Sequence, residues 1–137
     1  MKYTGSEIAA EQENLGRVQE FVLDKARSAD VLAQVIQTIE LVLEEVILNI
    51  MSYAFETGQT GTIKTGCAQV APGLFQVQII DQGRAFDPLA QPDPDTALPL
   101  EDRKTGGLGI YLVREMADEI KFQRQDGQNI LDIMFTW

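Results

Sequence analysis

The segment "LEEVILNIMSYAF", residues 43–55, constrains this chain more than any other. Leu43, Val46, Ile47, Leu48, Ile50, Met51 and Phe55 are apolar, and the spacing predicts one helix from about Val31 to Phe55. No residue from 31 to 56 is a lysine or an arginine, so the helix reads as buried. Yet Glu45 and Asn49 lie one turn apart within it. Burying a carboxylate and an amide costs free energy unless they find partners.

At about 100° per residue, Thr38, Glu45, Asn49, Ser52 and Glu56 fall in one narrow stripe. Leu41 and Leu48 flank it on one side, Val42 and Val46 on the other, while Glu44 points elsewhere, near Glu40. Such a stripe is either the solvated face of an amphipathic helix or the wall of a cleft. Its narrowness and its lack of cations favour a cleft that holds a cation, for instance Mg2+ bound to phosphates.

Residues 2–9 fit a short first strand, and 11–28 a helix with Leu15, Val18, Phe21, Val22, Leu23 and Ala26 on its apolar face. Ser28 to Asp30 breaks that pattern and offers a cap for the next helix. Two strands, 62–70 and 74–80, are joined by "APG". "TGGLGI" opens a helix over about 108–118 with Ile110, Val113, Met116 and Ala117 inward. Residues 120–125 and 130–137 close the chain as a hairpin around "DGQN". The stretch 84–106 holds four of the five prolines and reads as a long loop, either disordered or a functional lid. The order predicts a single α+β domain over 1–137, with helices on one face of a sheet.

Composition removes several function classes. The net charge of −10 leaves no basic footprint for direct nucleic-acid binding. There is no histidine, so histidine triads, metal sites and general bases are absent. The single cysteine, Cys67, makes no internal disulfide and no zinc cluster, and a cytoplasmic location is the default expectation. No apolar run reaches the roughly 18 residues of a membrane span, and "MKYTGSEIAAEQEN" lacks the apolar stretch of a signal peptide.

Two further motifs carry chemistry. "QIIDQGRAFDP" places Asp81 at the end of an apolar strand, with Gly83 two residues later. That pattern is either an ordinary turn or a carboxylate that accepts a hydrogen bond from a base amino group, with a glycine that lets a flat ring approach. "TGGLG" before a helix is either a hinge or an anion site built on exposed N–H groups and the positive end of the helix. Arg103 and Lys104 just upstream add local positive charge. The spacing matches neither a P-loop nor a dinucleotide-binding fingerprint.

Taken in order, E-x-x-x-N (Glu45, Asn49), D-x-G-x-x-F-D-P (Asp81 to Pro88) and "GGLGIYLV" (Gly106 to Val113) resemble the three nucleotide-binding boxes of the GHKL ATPase superfamily. "NIMSYAF", "FDPLAQPDPD" and "GGLGIYLVREMADEI" are most similar to the anti-sigma-factor serine-protein kinases and related anti-sigma regulatory factors. The resemblance implies the Bergerat ATP-binding fold, a two-layer α/β sandwich with a mixed sheet. It implies ATP and Mg2+ as ligands, with Asn49 on the metal and Asp81 on the adenine amino group. Gly83 would make room for the base, and Thr105, Gly106, Gly107, Leu108 and Gly109 would line the phosphates with Arg103 and Lys104. Residues 88–105 would form the ATP lid, and Glu45 would be the general base. Tyr53 stands where relatives often carry histidine, and Asn129 would stand in for a threonine that often follows the last hairpin turn. The implied function is an anti-sigma factor that phosphorylates an anti-sigma-factor antagonist and sequesters a sigma factor, with a homodimer left open. A nucleotide-gated binding switch without phosphoryl transfer is the alternative.

Overall fold

The computed structural model describes residues 4–9, 14–54, 61–87, 90 and 107–137. Its elements are β1 (Thr4–Ala9), α1 (Leu15–Ser28), α2 (Ala33–Tyr53), β2 (Thr62–Ala71), β3 (Leu74–Asp81), α3 (Gly107–Met116), β4 (Glu119–Gln125) and β5 (Gln128–Thr136). The strands form one sheet in the order β1-β2-β3-β5-β4. All four pairings are antiparallel, which corrects the expected mixed sheet. Connectivity explains this. Tight hairpins join β2 to β3 and β4 to β5, and an even number of intervening elements separates the other two pairs. A parallel neighbour needs a crossover that returns the chain to the same end.

Strands β2, β3 and β5 alternate, and their buried set faces the helices. The register lines these residues up in rows across the sheet. Cys67, Val77, Ile133 and Ile120 form one row, and Thr65, Ile79, Leu131 and Phe122 the next. The third row is Ile63, Asp81, Asn129 and Arg124, so the apolar surface turns polar at one end of the sheet.

Helix α2 lies on that surface between α1 and α3. Ile39, Val42, Leu43, Val46, Ile47 and Ile50 are buried, which fits a helix covered on most sides. Val113 and Ala117, spaced i and i+4, take the buried side of α3, whereas Met116, expected inward, is exposed at the last helical position. The expected cap at 28–30 serves the preceding helix instead. Asp30 adopts a left-handed conformation (φ 58°), its N–H bonds Arg27 O, and the Val31 N–H bonds Ala26 O. That is a Schellman termination of α1. Helix α2 has Leu32 at its N-cap and no side-chain cap.

Candidate functional site

The polar stripe on α2 is graded. Asn49 is buried, Glu45 and Thr38 are half-buried, and Ser52 is exposed. Glu44, one residue from Glu45, is fully on the exposed face. The Asn49 Nδ2 donates to the Glu45 carbonyl at 2.7 Å, which fixes the amide and leaves its Oδ1 as the acceptor. The Glu45 carboxylate makes no side-chain hydrogen bond or ion pair with another described residue. Glu56 lies outside the described residues.

Asp81 closes β3 and is only 2% exposed. Its Oδ1 accepts two bonds, from the Gly83 N–H (2.9 Å) and from Asn129 Nδ2 (2.9 Å). Burial raises the Asp81 pKa above the ordinary carboxylate value; the bonds from Asn129 and Gly83 and the charge of Arg124 oppose that rise. Among the described residues both bonds land on Oδ1, which leaves the lone pairs of Oδ2 to a ligand's donor.

The end of α2 docks on the turn that follows Asp81. The Arg84 N–H bonds Ala54 O at 2.8 Å, and Arg84 Nε bonds Tyr53 O at 2.6 Å, so a cation satisfies the carbonyl end of a helix that has no basic residue in its last turn. The Tyr53 and Phe86 rings stack with centroids 5.5 Å apart. Gly83 is required here by close approach. A Cβ at that position would lie 2.7 Å from the Ala54 Cβ. The helix that carries Glu45 and Asn49 and the turn after Asp81 are therefore fastened together four and five residues past Asn49.

Gly107, Leu108 and Gly109 form the first turn of α3, so the "GGLG" motif does open a helix, whose first N–H groups have no partner within it. Arg103, Lys104, Thr105 and Gly106 lie outside the described residues, as does all of the expected lid except Ala90. Among the described residues no cluster of three or more acidic, cysteine or histidine side chains could hold a metal. The donors present, one amide oxygen and one carboxylate, suit a Mg2+ that is held mainly by the phosphates of a nucleotide.

The sequence motifs include Asn129, just ahead of the last expected strand, but neither Arg124 nor Arg84. The signal was present in "DGQN". Asp126 and Gly127 both have positive φ (52° and 77°), the two-residue turn that lets pairing resume at once. Strand β5 therefore begins at Gln128, and Asn129 falls opposite Asp81 on one side and Arg124 on the other.

Comparison with known proteins agrees with this geometry. The family model described as "Histidine kinase-like ATPase domain" matches residues 8–135. The chain is 33% identical over 96 residues to the serine/threonine-protein kinase BtrW of Bordetella bronchiseptica, which covers 70% of this chain and 67% of that protein. It is 26% identical over 101 residues to the serine-protein kinase RsbW of Oceanobacillus iheyensis, covering 70% of this chain and 63% of the relative. Among solved structures, the RsbU and RsbW domains of a Mycobacterium tuberculosis protein superpose with a TM-score of 0.64 at 12% identity, over 97% of this chain and 32% of that one. The chain thus spans about two thirds of the length of the two curated relatives and about a third of the solved one. With its three motifs on the α2 stripe, the end of β3 and the start of α3, the chain belongs to the histidine kinase-like ATPase domain family, and its curated relatives are named serine- or serine/threonine-protein kinases.

Proposed function

We propose that this protein binds ATP with Mg2+ and transfers the γ-phosphoryl group to a serine of a partner protein. The observation that supports the reading is the fastening of the end of the Glu45–Asn49 helix to the turn after Asp81, the two segments that would supply the phosphate-side and base-side acceptors. Asp81 Oδ2 accepts from the adenine amino group. Asn49 Oδ1 would hold Mg2+, which when bound would neutralise charge on the phosphates. The N-terminal N–H groups of α3 face phosphate oxygens, and Arg103, Lys104, Thr105 and Gly106 complete that side. Residues 88–105 close over the nucleotide as a lid in a single ATPase domain.

Glu45 orients the attacking serine and takes its proton. The serine oxygen bonds to Pγ, the bond from Pγ to the bridging oxygen breaks, and ADP leaves with that oxygen. Such transfer is mainly positioning and charge stabilisation, so one half-buried carboxylate at the right place is sufficient. By the resemblance of "NIMSYAF", "FDPLAQPDPD" and "GGLGIYLVREMADEI" to the anti-sigma-factor serine-protein kinases, the acceptor is an anti-sigma-factor antagonist and a second partner is a sigma factor, in a cytoplasmic setting.

The test is transfer of label from γ-labelled ATP to a purified anti-sigma-factor antagonist. Glu45→Gln keeps the shape and removes the base. It should retain nucleotide binding and lose transfer by about 100-fold or more, the usual worth of general-base catalysis. Glu44→Gln, on the exposed face, should stay within about twofold of the parent. Tight binding of the antagonist without transfer by the unaltered protein would replace the kinase reading with a nucleotide-gated switch.

A further inference from the structure

Asn129 is 4% exposed and its bonding capacity is fully used. Its Nδ2 donates to Asp81 Oδ1 (2.9 Å) and to Arg84 O (2.8 Å). Its Oδ1 accepts from Arg124 Nη1 (3.1 Å) and from the Phe86 N–H (3.2 Å). Two donors and two acceptors are all that an amide has, so none remains for a ligand. The amide has one tenable orientation. Turned over, its oxygen would face a carboxylate and a carbonyl, and its NH2 would face a guanidinium and an N–H.

Arg124 holds the outer end. The same Nη1 donates to Gly83 O at 2.8 Å. Asp81, Gly83, Arg124 and Asn129 therefore form a closed hydrogen-bonded ring. The ring spans β3, the turn after it, β4 and β5, and both of its donors to Asp81 converge on Oδ1. With Oδ1 engaged and the turn pinned, Oδ2 is held at a fixed place for an incoming donor.

We propose that Arg124 and Asn129 are positioning residues that aim Asp81 at the nucleotide base, and that they set the protein's selectivity for a purine with an amino group over one without it. This rests on the adenine role proposed for Asp81. A base with a carbonyl in place of the amino group would meet a fixed carboxylate and be repelled. If the ring were loosened, the carboxylate would turn to other partners and the contrast between bases would shrink.

The experiment compares dissociation constants for ATP and for purine riboside triphosphate, which lacks only the 6-amino group. Three proteins are used: the parent, Arg124→Gln and Arg124→Lys. Arg124 is exposed, so both variants should fold, and thermal melting checks that they do. The parent should prefer ATP by roughly 10- to 150-fold, the range for a hydrogen bond to a charged group. Arg124→Gln should cut that preference at least several-fold while affinity for the purine analogue stays within about twofold. Arg124→Lys, which keeps a donor, should fall between. An equal loss for both nucleotides, or an unchanged preference, overturns the positioning role. A parent protein with no preference instead defeats the adenine role of Asp81 itself, a distinct result.

Discussion

Two buried side chains on β2 show what the core tolerates. Cys67 is 2% exposed, and burial pushes its thiol pKa up to about 11 although Lys25 pulls it down. A thiol held in that form is a packing residue and not a nucleophile. Thr65, two residues earlier, is 1% exposed, and its hydroxyl has no partner among the described residues. It sits in a row with Ile79, Leu131 and Phe122, where nothing accepts or donates. Thr65→Val should therefore raise stability by about 1 kcal/mol, from relief of an unsatisfied buried group. Urea unfolding of the two proteins measures it, with an unchanged slope expected. A destabilised variant would mean that the hydroxyl does have a partner.

At the scale of elements, periodicity was a reliable guide where one face dominates. The Phe75, Val77, Ile79 alternation and the α2 spacing both reappear as the buried set. The wheel also separated Glu45 from Glu44 correctly, because burial around a helix follows angle and not neighbourhood in sequence. Three features were not legible. Whether the sheet is mixed depends on which strands pair, which is long-range information. The Asp81–Asn129–Arg124 row depends on register across three strands, which a two-residue shift in the start of β5 conceals. Ser28 to Asp30 offers cap residues for the next helix, yet Asp30 takes the left-handed position at the end of α1. Asp30→Gly should thus stabilise the protein by about 0.5–1 kcal/mol, the relief of left-handed strain less the extra freedom of the unfolded chain. Thermal melting checks the direction; a lower Tm would show that the aspartate side chain contributes more than its backbone costs.

At the scale of the whole molecule, the central tension is an anionic nucleotide on a chain of net charge −10. Asp81, the carboxylate proposed for the base, is buried, and its charge works against the fold that holds it. The folded pKa of Asp81 is raised above 3.8, first by desolvation. Its contribution to stability is therefore full below the unfolded pKa and is lost as pH rises through the folded value, so at pH 7 the ionised group is a net cost. Asp81→Asn keeps an oxygen for Gly83 and Asn129 but removes both the charge and the acceptor for the base. The variant should melt no lower than the parent at pH 7. The decisive measurement is calorimetric titration of both proteins with ATP and Mg2+. The account predicts saturable binding by the parent and an affinity about 1–3 kcal/mol weaker in Asp81→Asn, the scale of a hydrogen bond to a charged group. Equal affinities in two folded proteins, or no binding by the parent, would contradict it.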